Sequence, residues 1–84
     1  MSYAIYILRR AQKELAQLPS NSYTRVRDAI RDLGGNPWPR GCRKLAGRDA
    51  WRIRIGNYRV IYEIDDIRKV ITVVHVGHRR DIYR

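Results

Sequence analysis

The chain is short of the residues that build metal sites, disulfide frameworks and membrane spans. Cys42 is its only cysteine, so no disulfide can close within it. One cysteine and two histidines, His75 and His78, supply no four-ligand set, so neither a metal nor another cofactor is expected. No apolar run approaches the length of a membrane span, and no signal-peptide pattern opens the sequence. The expectation is a cytoplasmic protein with no membrane partner. A glycine-rich phosphate loop is also missing, because Gly34-Gly35 runs into Pro37 and reads as a helix stop. Eighty-four residues make one thin-cored domain, 1–84, with no room for a separate cofactor domain.

Acid is scarce too. Eight Asp and Glu stand against 18 Lys and Arg, a net charge of +10. Fifteen of the 18 cations are arginine. Arginine presents a planar fork of donors that matches phosphate oxygens and stacks on bases, whereas lysine is a point charge. This bias favours a polyanionic partner over a surface tuned only for solubility.

The apolar pattern gives an element order. Tyr3–Leu8 is β-branched and aromatic and reads as a first strand, apolar on both faces and therefore expected inside the sheet or under cover. From Arg10, Ala11, Leu15 and Leu18 recur at helical spacing until Pro19. Ser20 or Asn21 can cap a second helix, with Tyr23, Val26, Ala29, Ile30 and Leu33 as its apolar stripe. A loop from Trp38 to Gly47 leads to Trp51–Ile55, which alternates strictly. Gly56-Asn57 is a hairpin turn, Tyr58–Ile64 the next strand, Asp65-Asp66 another turn and Lys69–Val76 a last strand before a polar tail. The order β-α-α-β-β-β predicts an α+β fold, a small antiparallel-rich sheet with a helical hairpin on one face.

The hairpin fixes a register. A two-residue loop at Gly56-Asn57 sets Arg54 opposite Arg59 and Ile53 opposite Val60. Alternation then sends Trp51, Ile53, Ile55, Tyr58, Val60 and Tyr62 to the core face and Arg52, Arg54 and Arg59 to the other. Like charges facing each other across strands are destabilising. Such a pair suits an anion with several charged oxygens, a phosphate above all; the plainer alternative is a solvated basic face. The tail brings His78, Arg79, Arg80 and Tyr83 to the end of the neighbouring strand, a set that could serve phosphoryl chemistry. His75 falls in a run too apolar for alternation to orient, so a core position and a site position both stay open.

Along its whole length the sequence resembles the RelE/ParE toxin superfamily, specifically its RelE-like members. The most specific segments are Trp51-Arg-Ile-Arg, Gly56-Asn-Tyr-Arg-Val-Ile-Tyr62 and Val76-Gly-His-Arg-Arg-Asp-Ile-Tyr83. The resemblance implies the toxin of a type II toxin–antitoxin pair, a ribosome-dependent endoribonuclease that cuts mRNA without metal. Attack by a ribose 2′-hydroxyl on the adjacent phosphate would give a cyclic phosphate and a free 5′-hydroxyl end. It implies catalytic roles for Arg59, Arg79 and Tyr83; His78 is a further candidate proton carrier, because histidine ordinarily titrates near neutral pH. Arg52, Arg54, Arg80, Lys44 and Arg48 would bind RNA phosphates. The implied partners are an acidic antitoxin, the ribosome and mRNA, with operator DNA reached only through the antitoxin complex.

One departure is chemical. Family prototypes carry lysine where this chain has Arg52 and Arg54. Arginine does not give up its proton, so neither can act as a general base. Two alternatives share the fold or the charge: a ParE-like inhibitor of DNA gyrase, and a non-catalytic RNA- or ribosome-binding module. The module would need the cations but not Tyr83 or His78.

Overall fold

The computed structural model describes residues 2–78. The elements are β1 (Ala4–Ile7), α1 (Arg9–Ala16), α2 (Ser20–Leu33), β2 (Arg43–Lys44), β3 (Trp51–Ile55), β4 (Tyr58–Asp65) and β5 (Val70–His78). The sheet order is β1-β5-β4-β3-β2, with β1 parallel to β5 and the other neighbours antiparallel. The α+β order expected from the sequence is present, with one addition: β2, a two-residue edge strand too short for any periodicity to reveal.

Both helices lie on one sheet face, α1 against β5 and α2 against β3 and β4. Ala11 and Leu15 of α1 and Val26, Ile30 and Leu33 of α2 meet Ile53, Val60, Tyr62, Ile71, Val73 and Val76 of the sheet. The helical stripe and the strand alternation thus converge on one core. Burying side chains of this kind stabilises the fold by about 1.5–3 kcal/mol each.

Three local expectations are corrected. Tyr3–Leu8 does not form an inner strand: β1 is an edge, and Tyr6 is 63% exposed. Its second apolar face meets solvent because both helices cover the opposite sheet face, against which Ile5 and Ile7 pack. The N-cap of α2 is Pro19 rather than Ser20 or Asn21, and no side chain caps it. The Pro19 carbonyl accepts the Tyr23 amide at 2.7 Å, so the proline serves as the last extended residue and its chain direction starts the helix. Finally, the last strand runs to His78, which places Gly77 and His78 within the sheet rather than in a tail.

Two glycines are required by geometry. Gly56 has φ +60 and Asn57 does not share that sign, the pattern of a type II′ hairpin turn. Gly34 ends α2 where β1 passes closest: its carbonyl accepts the Tyr3 amide at 2.7 Å, and a Cβ there would lie 3.2 Å from the Tyr3 carbonyl oxygen. Between β4 and β5, Lys69 takes φ 59. That left-handed turn is tied down by Lys69 Nζ at 3.0 Å from Asp66 Oδ1.

Beyond the last residue of β1, the outer edge of β5 is covered from α1. Glu14 Oε1 accepts the Val76 amide at 3.0 Å and lies 2.9 Å from His75 Nδ1. One carboxylate therefore satisfies a strand-edge donor and orients a half-buried histidine. On the other side of the core, the Tyr62 hydroxyl donates to the Pro37 carbonyl at 2.7 Å. Burial, with Cys42 nearby, raises the Tyr62 phenol well above its usual range and keeps it a donor.

Tyr62→Phe should leave that buried carbonyl without its partner. The expected loss is about 1–2 kcal/mol, or a fall in Tm of about 4–8 °C for each kcal/mol in a domain this small. Thermal unfolding followed by circular dichroism measures it, and an unchanged Tm would remove this bond from the account of the 34–41 loop.

Candidate functional site

The β3–β4 hairpin pairs Arg54 with Arg59, Ile53 with Val60 and Ile55 with Tyr58. Residues directly opposite share a face, so Arg52, Arg54 and Arg59 do lie together on the face away from the helices. Pairing across the sheet gives two rows. One runs Arg43, Arg52, Ile61, His75 and the other Arg54, Arg59, Gly77. No carboxylate stands on either row.

The three arginines differ in environment. Arg54 is exposed, Arg52 half-buried, and Arg59 only 8% exposed. Ile61, two residues on along β4, is also buried. Gly77 opposite Arg59 has no side chain, which leaves room for the arginine stem to lie across β5. This face is therefore not a uniform solvated surface: its centre is sunk and its β3 side is open.

The basic rows sit toward the hairpin turn. Toward the β4–β5 turn the same face becomes acidic, with Glu63, Asp65 and Asp66 lining a depression beside Tyr6. There the Tyr3 hydroxyl donates to Asp66 and Lys69 approaches it. The Tyr3 hydrogen bond, then that of Lys69, holds the Asp66 carboxyl below the usual carboxylate range, and the Tyr3 phenol is raised by the same contact. Arg68 pairs with Asp65 and Lys69 with Asp66 there, so that end is close to balanced and the uncompensated positive charge of the face is concentrated at the hairpin end.

The other expected positions distribute unevenly. His78 ends β5 opposite Tyr58, and the two rings meet edge-on at 5.8 Å. Tyr58 packs against the core, so His78 stands on the helix side of the sheet, not on the arginine face. Lys44 pairs with Trp51 and so also falls on the helix-side parity, with its ammonium 3.9 Å from Asp49. Arg48 is exposed in the loop before β3. Arg79, Arg80 and Tyr83 lie outside the described residues. Sequence reasoning missed Arg43, which shares the row of Arg52 through β2, and Glu14, which orients His75. The signal for Glu14 was present in principle, as the one acid on the inner side of a basic helix.

Among the described residues, no cluster of three His, Cys, Asp or Glu side chains could hold a metal ion, and no helix is long and apolar enough to cross a membrane. What the arginine face can do is hold a polyanion. Arginines at directly opposite backbone positions can bring their guanidinium donors to the oxygens of one phosphodiester.

The chain is similar in sequence and shape to known toxins. The family described as the ParE toxin of the parDE type II toxin–antitoxin system matches residues 5–83. Toxin RelG of Mycobacterium tuberculosis is 35% identical, over 100% of this chain and 99% of that protein. The archaeal RelE of the RelE–RelB complex from Pyrococcus horikoshii superposes with a TM-score of 0.84 at 34% identity, covering 94% of this chain and 97% of that one. The isolated RelE toxin of Escherichia coli gives a TM-score of 0.80 at 26% identity, covering 98% and 92%.

The burial contrast has a direct consequence for stability. Arg54→Ala should change stability by no more than about 0.5 kcal/mol, and relief of the like-charge pair favours a slight gain. Arg59→Ala should lose about 1–3 kcal/mol, because its buried stem leaves a void. Urea unfolding of the two variants side by side decides this; equal midpoints would show that Arg59 contributes no packing.

Proposed function

This chain belongs to the RelE/ParE superfamily of type II toxin–antitoxin toxins, on its RelE-like side, and from that premise we propose that it is a ribosome-dependent endoribonuclease that cuts messenger RNA and stops translation. The observation that carries this reading is the placing of Arg52, Arg54 and Arg59 on one sheet face without a carboxylate on their rows.

In this proposal Arg54 and Arg52 bind the backbone of the strand on the open side of the face. Arg59, held by its burial, donates to the scissile phosphate. The 2′-oxygen of the upstream ribose attacks phosphorus, the bond to the downstream 5′-oxygen breaks, and that oxygen leaves as a hydroxyl. Charge accumulates on the phosphoryl oxygens as this happens, and a fixed guanidinium favours that state over the ground state. Arginine cannot carry the proton. Tyr83 is assigned that role by family resemblance. It is preferred to His78 because the His78 ring packs on Tyr58 on the other side of the sheet. Arg79 and Arg80 complete the phosphate contacts in the same proposal, and Lys44 and Arg48 contribute long-range attraction. No metal or cofactor takes part.

The partners follow. Complexes with RelB are known for the Pyrococcus relative. For this chain we propose an acidic antitoxin that covers part of the arginine face, operator DNA bound only through that complex, and a cytoplasmic site of action. Gyrase inhibition is the competing activity within the superfamily, and it predicts a block of DNA synthesis with intact mRNA.

Arg59→Lys keeps the charge and most of the stem but loses the fork. Single-turnover cleavage of mRNA on programmed ribosomes should fall, though by less than the loss on the order of a hundredfold expected of Arg59→Ala, while the circular dichroism spectrum stays that of the wild type. A folded variant that cuts at the wild-type rate would sink the assignment of this face.

Association with the antitoxin should be fast at low salt and slow steeply as ionic strength rises, since complementary charge accelerates encounter. Stopped-flow measurement across a range of salt tests it, and a rate indifferent to salt would mean that the +10 surface does not steer this partner.

A further inference from the structure

A cavity of about 550 Å³ opens where β3 outruns β2, between the last turns of α2 and the 36–43 loop. Its volume is in the range of small-ligand sites. Leu33, Ile53 and Ile55 supply an aliphatic floor, and Arg40, Arg43 and Arg54 stand among its polar walls. None of these three arginines makes an ion pair among the described residues. Arg54 also belongs to the arginine face, so the cavity and the face meet over the free edge of β3.

Two further side chains in the wall give the cavity a chemical preference. Asp32 sits in the last turn of α2, where the helix dipole disfavours a carboxylate. Its carboxylate has no hydrogen-bond or ion-pair partner among the described residues, although arginines line the same cavity. Asn36 uses its Oδ1 to accept the Trp38 amide at 3.1 Å, which leaves its NH₂ group to donate.

We propose that this cavity is a guanine subsite for a nucleotide of the RNA strand lying on the arginine face. The aliphatic floor takes the flat base. Asp32 accepts from guanine N1–H and the N2 amino group, and the Asn36 amide donates to O6. Arg54 and Arg43 take the phosphates. Guanine is the base that offers two adjacent donors beside an acceptor. Adenine and cytosine would set a ring-nitrogen acceptor against the Asp32 carboxylate, and uracil offers one N–H between two carbonyls. The same carboxylate repels an acidic side chain seated on the floor but not a neutral base whose phosphate lies at Arg43 and Arg54, which favours a nucleotide over an acidic protein segment as the occupant. The subsite deepens the nuclease reading and rests on it for its use, but its occupancy can be measured without ribosomes or cleavage.

The test is titration of the isotopically labelled protein with 5′-GMP, AMP, CMP, UMP and inorganic phosphate, followed by amide chemical shifts. GMP should move the Asn36, Gly41 and Ile53 amides and bind at least about tenfold tighter than AMP, within the discrimination expected of a bidentate base contact. Asp32→Asn should abolish the preference for GMP while retaining phosphate binding. Asp32→Ser serves the same purpose if the asparagine variant does not fold. Equal shifts with all four nucleotides and with phosphate would reduce the cavity to an anion site and overturn the proposal. So would shifts confined to the arginine face, or shifts produced only by a leucine-containing acidic peptide, which would make the cavity a protein-docking groove. Loss of ribosomal cleavage with GMP selectivity intact would instead count against the nuclease reading alone.

Discussion

The two-residue turn at Gly56-Asn57 is the constraint on which the rest depends. Only a glycine-like φ closes β3 onto β4 in this register. A slip of one residue would send Ile53, Val60 and Tyr62 to solvent and the arginines into the core. Nothing could compensate that exchange, because the core of an 84-residue chain has few side chains to spare. Core and arginine face are therefore one decision taken at one turn. The Arg54–Arg59 repulsion is a tolerated consequence, small beside the burial that the same register secures.

Burial then sorts residues of equal charge into different tasks. Arg59 is sunk in the middle strand with a glycine opposite, so few conformations are open to it. An arginine held this way loses little further freedom when it meets a phosphate, which is the physical content of preorganisation. Arg54 is exposed and can follow a ligand over the strand edge. Toward the β4–β5 turn the cations are matched by carboxylates, Arg68 by Asp65 and Lys69 by Asp66, so the uncompensated charge stays at the hairpin end.

Much of this was legible in the sequence because it rests on period-two alternation and on one turn. The register of Arg54 with Arg59, the core set of β3 and β4, and the two helices with their break at Pro19 all follow from local rules. Non-local events were illegible. The parallel pairing of β1 put an apolar strand at an edge, since pairing partners are chosen across the whole chain. The irregularity between Ile61 and Tyr62 shifts the register of β5 against β4, so no count along the strand could place His75 or carry His78 to the helix side. Glu14 and His75 are 61 positions apart and meet because β1 ends before β5 does. β2 is two residues long and carries no pattern at all. The candidate site was thus readable where it lies on the hairpin and unreadable where other elements complete it. Arg79, Arg80 and Tyr83, outside the described residues, rest on the composition of the tail and, for Arg79 and Tyr83, on resemblance.

Strand lengths at the β3 edge tie these points together. A free edge is a template for unwanted pairing, and proteins blunt such edges with charge. Here β2 covers β3 only at Trp51 and Arg52 and leaves Ile53–Ile55, paired to β4 on one side, without a strand neighbour on the other. Arg43, Arg52 and Arg54 crowd that gap. A second copy of the chain would bring the same cations against them, so edge-to-edge association is opposed by the residues assigned to the proposed anion site. An extended hydrophobic β2 would have closed the gap and the cavity with it. Shortness of β2, concentration of arginine and openness of the cavity are therefore three aspects of one solution. The edge is left open to the proposed anionic ligand and defended against its own kind by the same guanidinium groups.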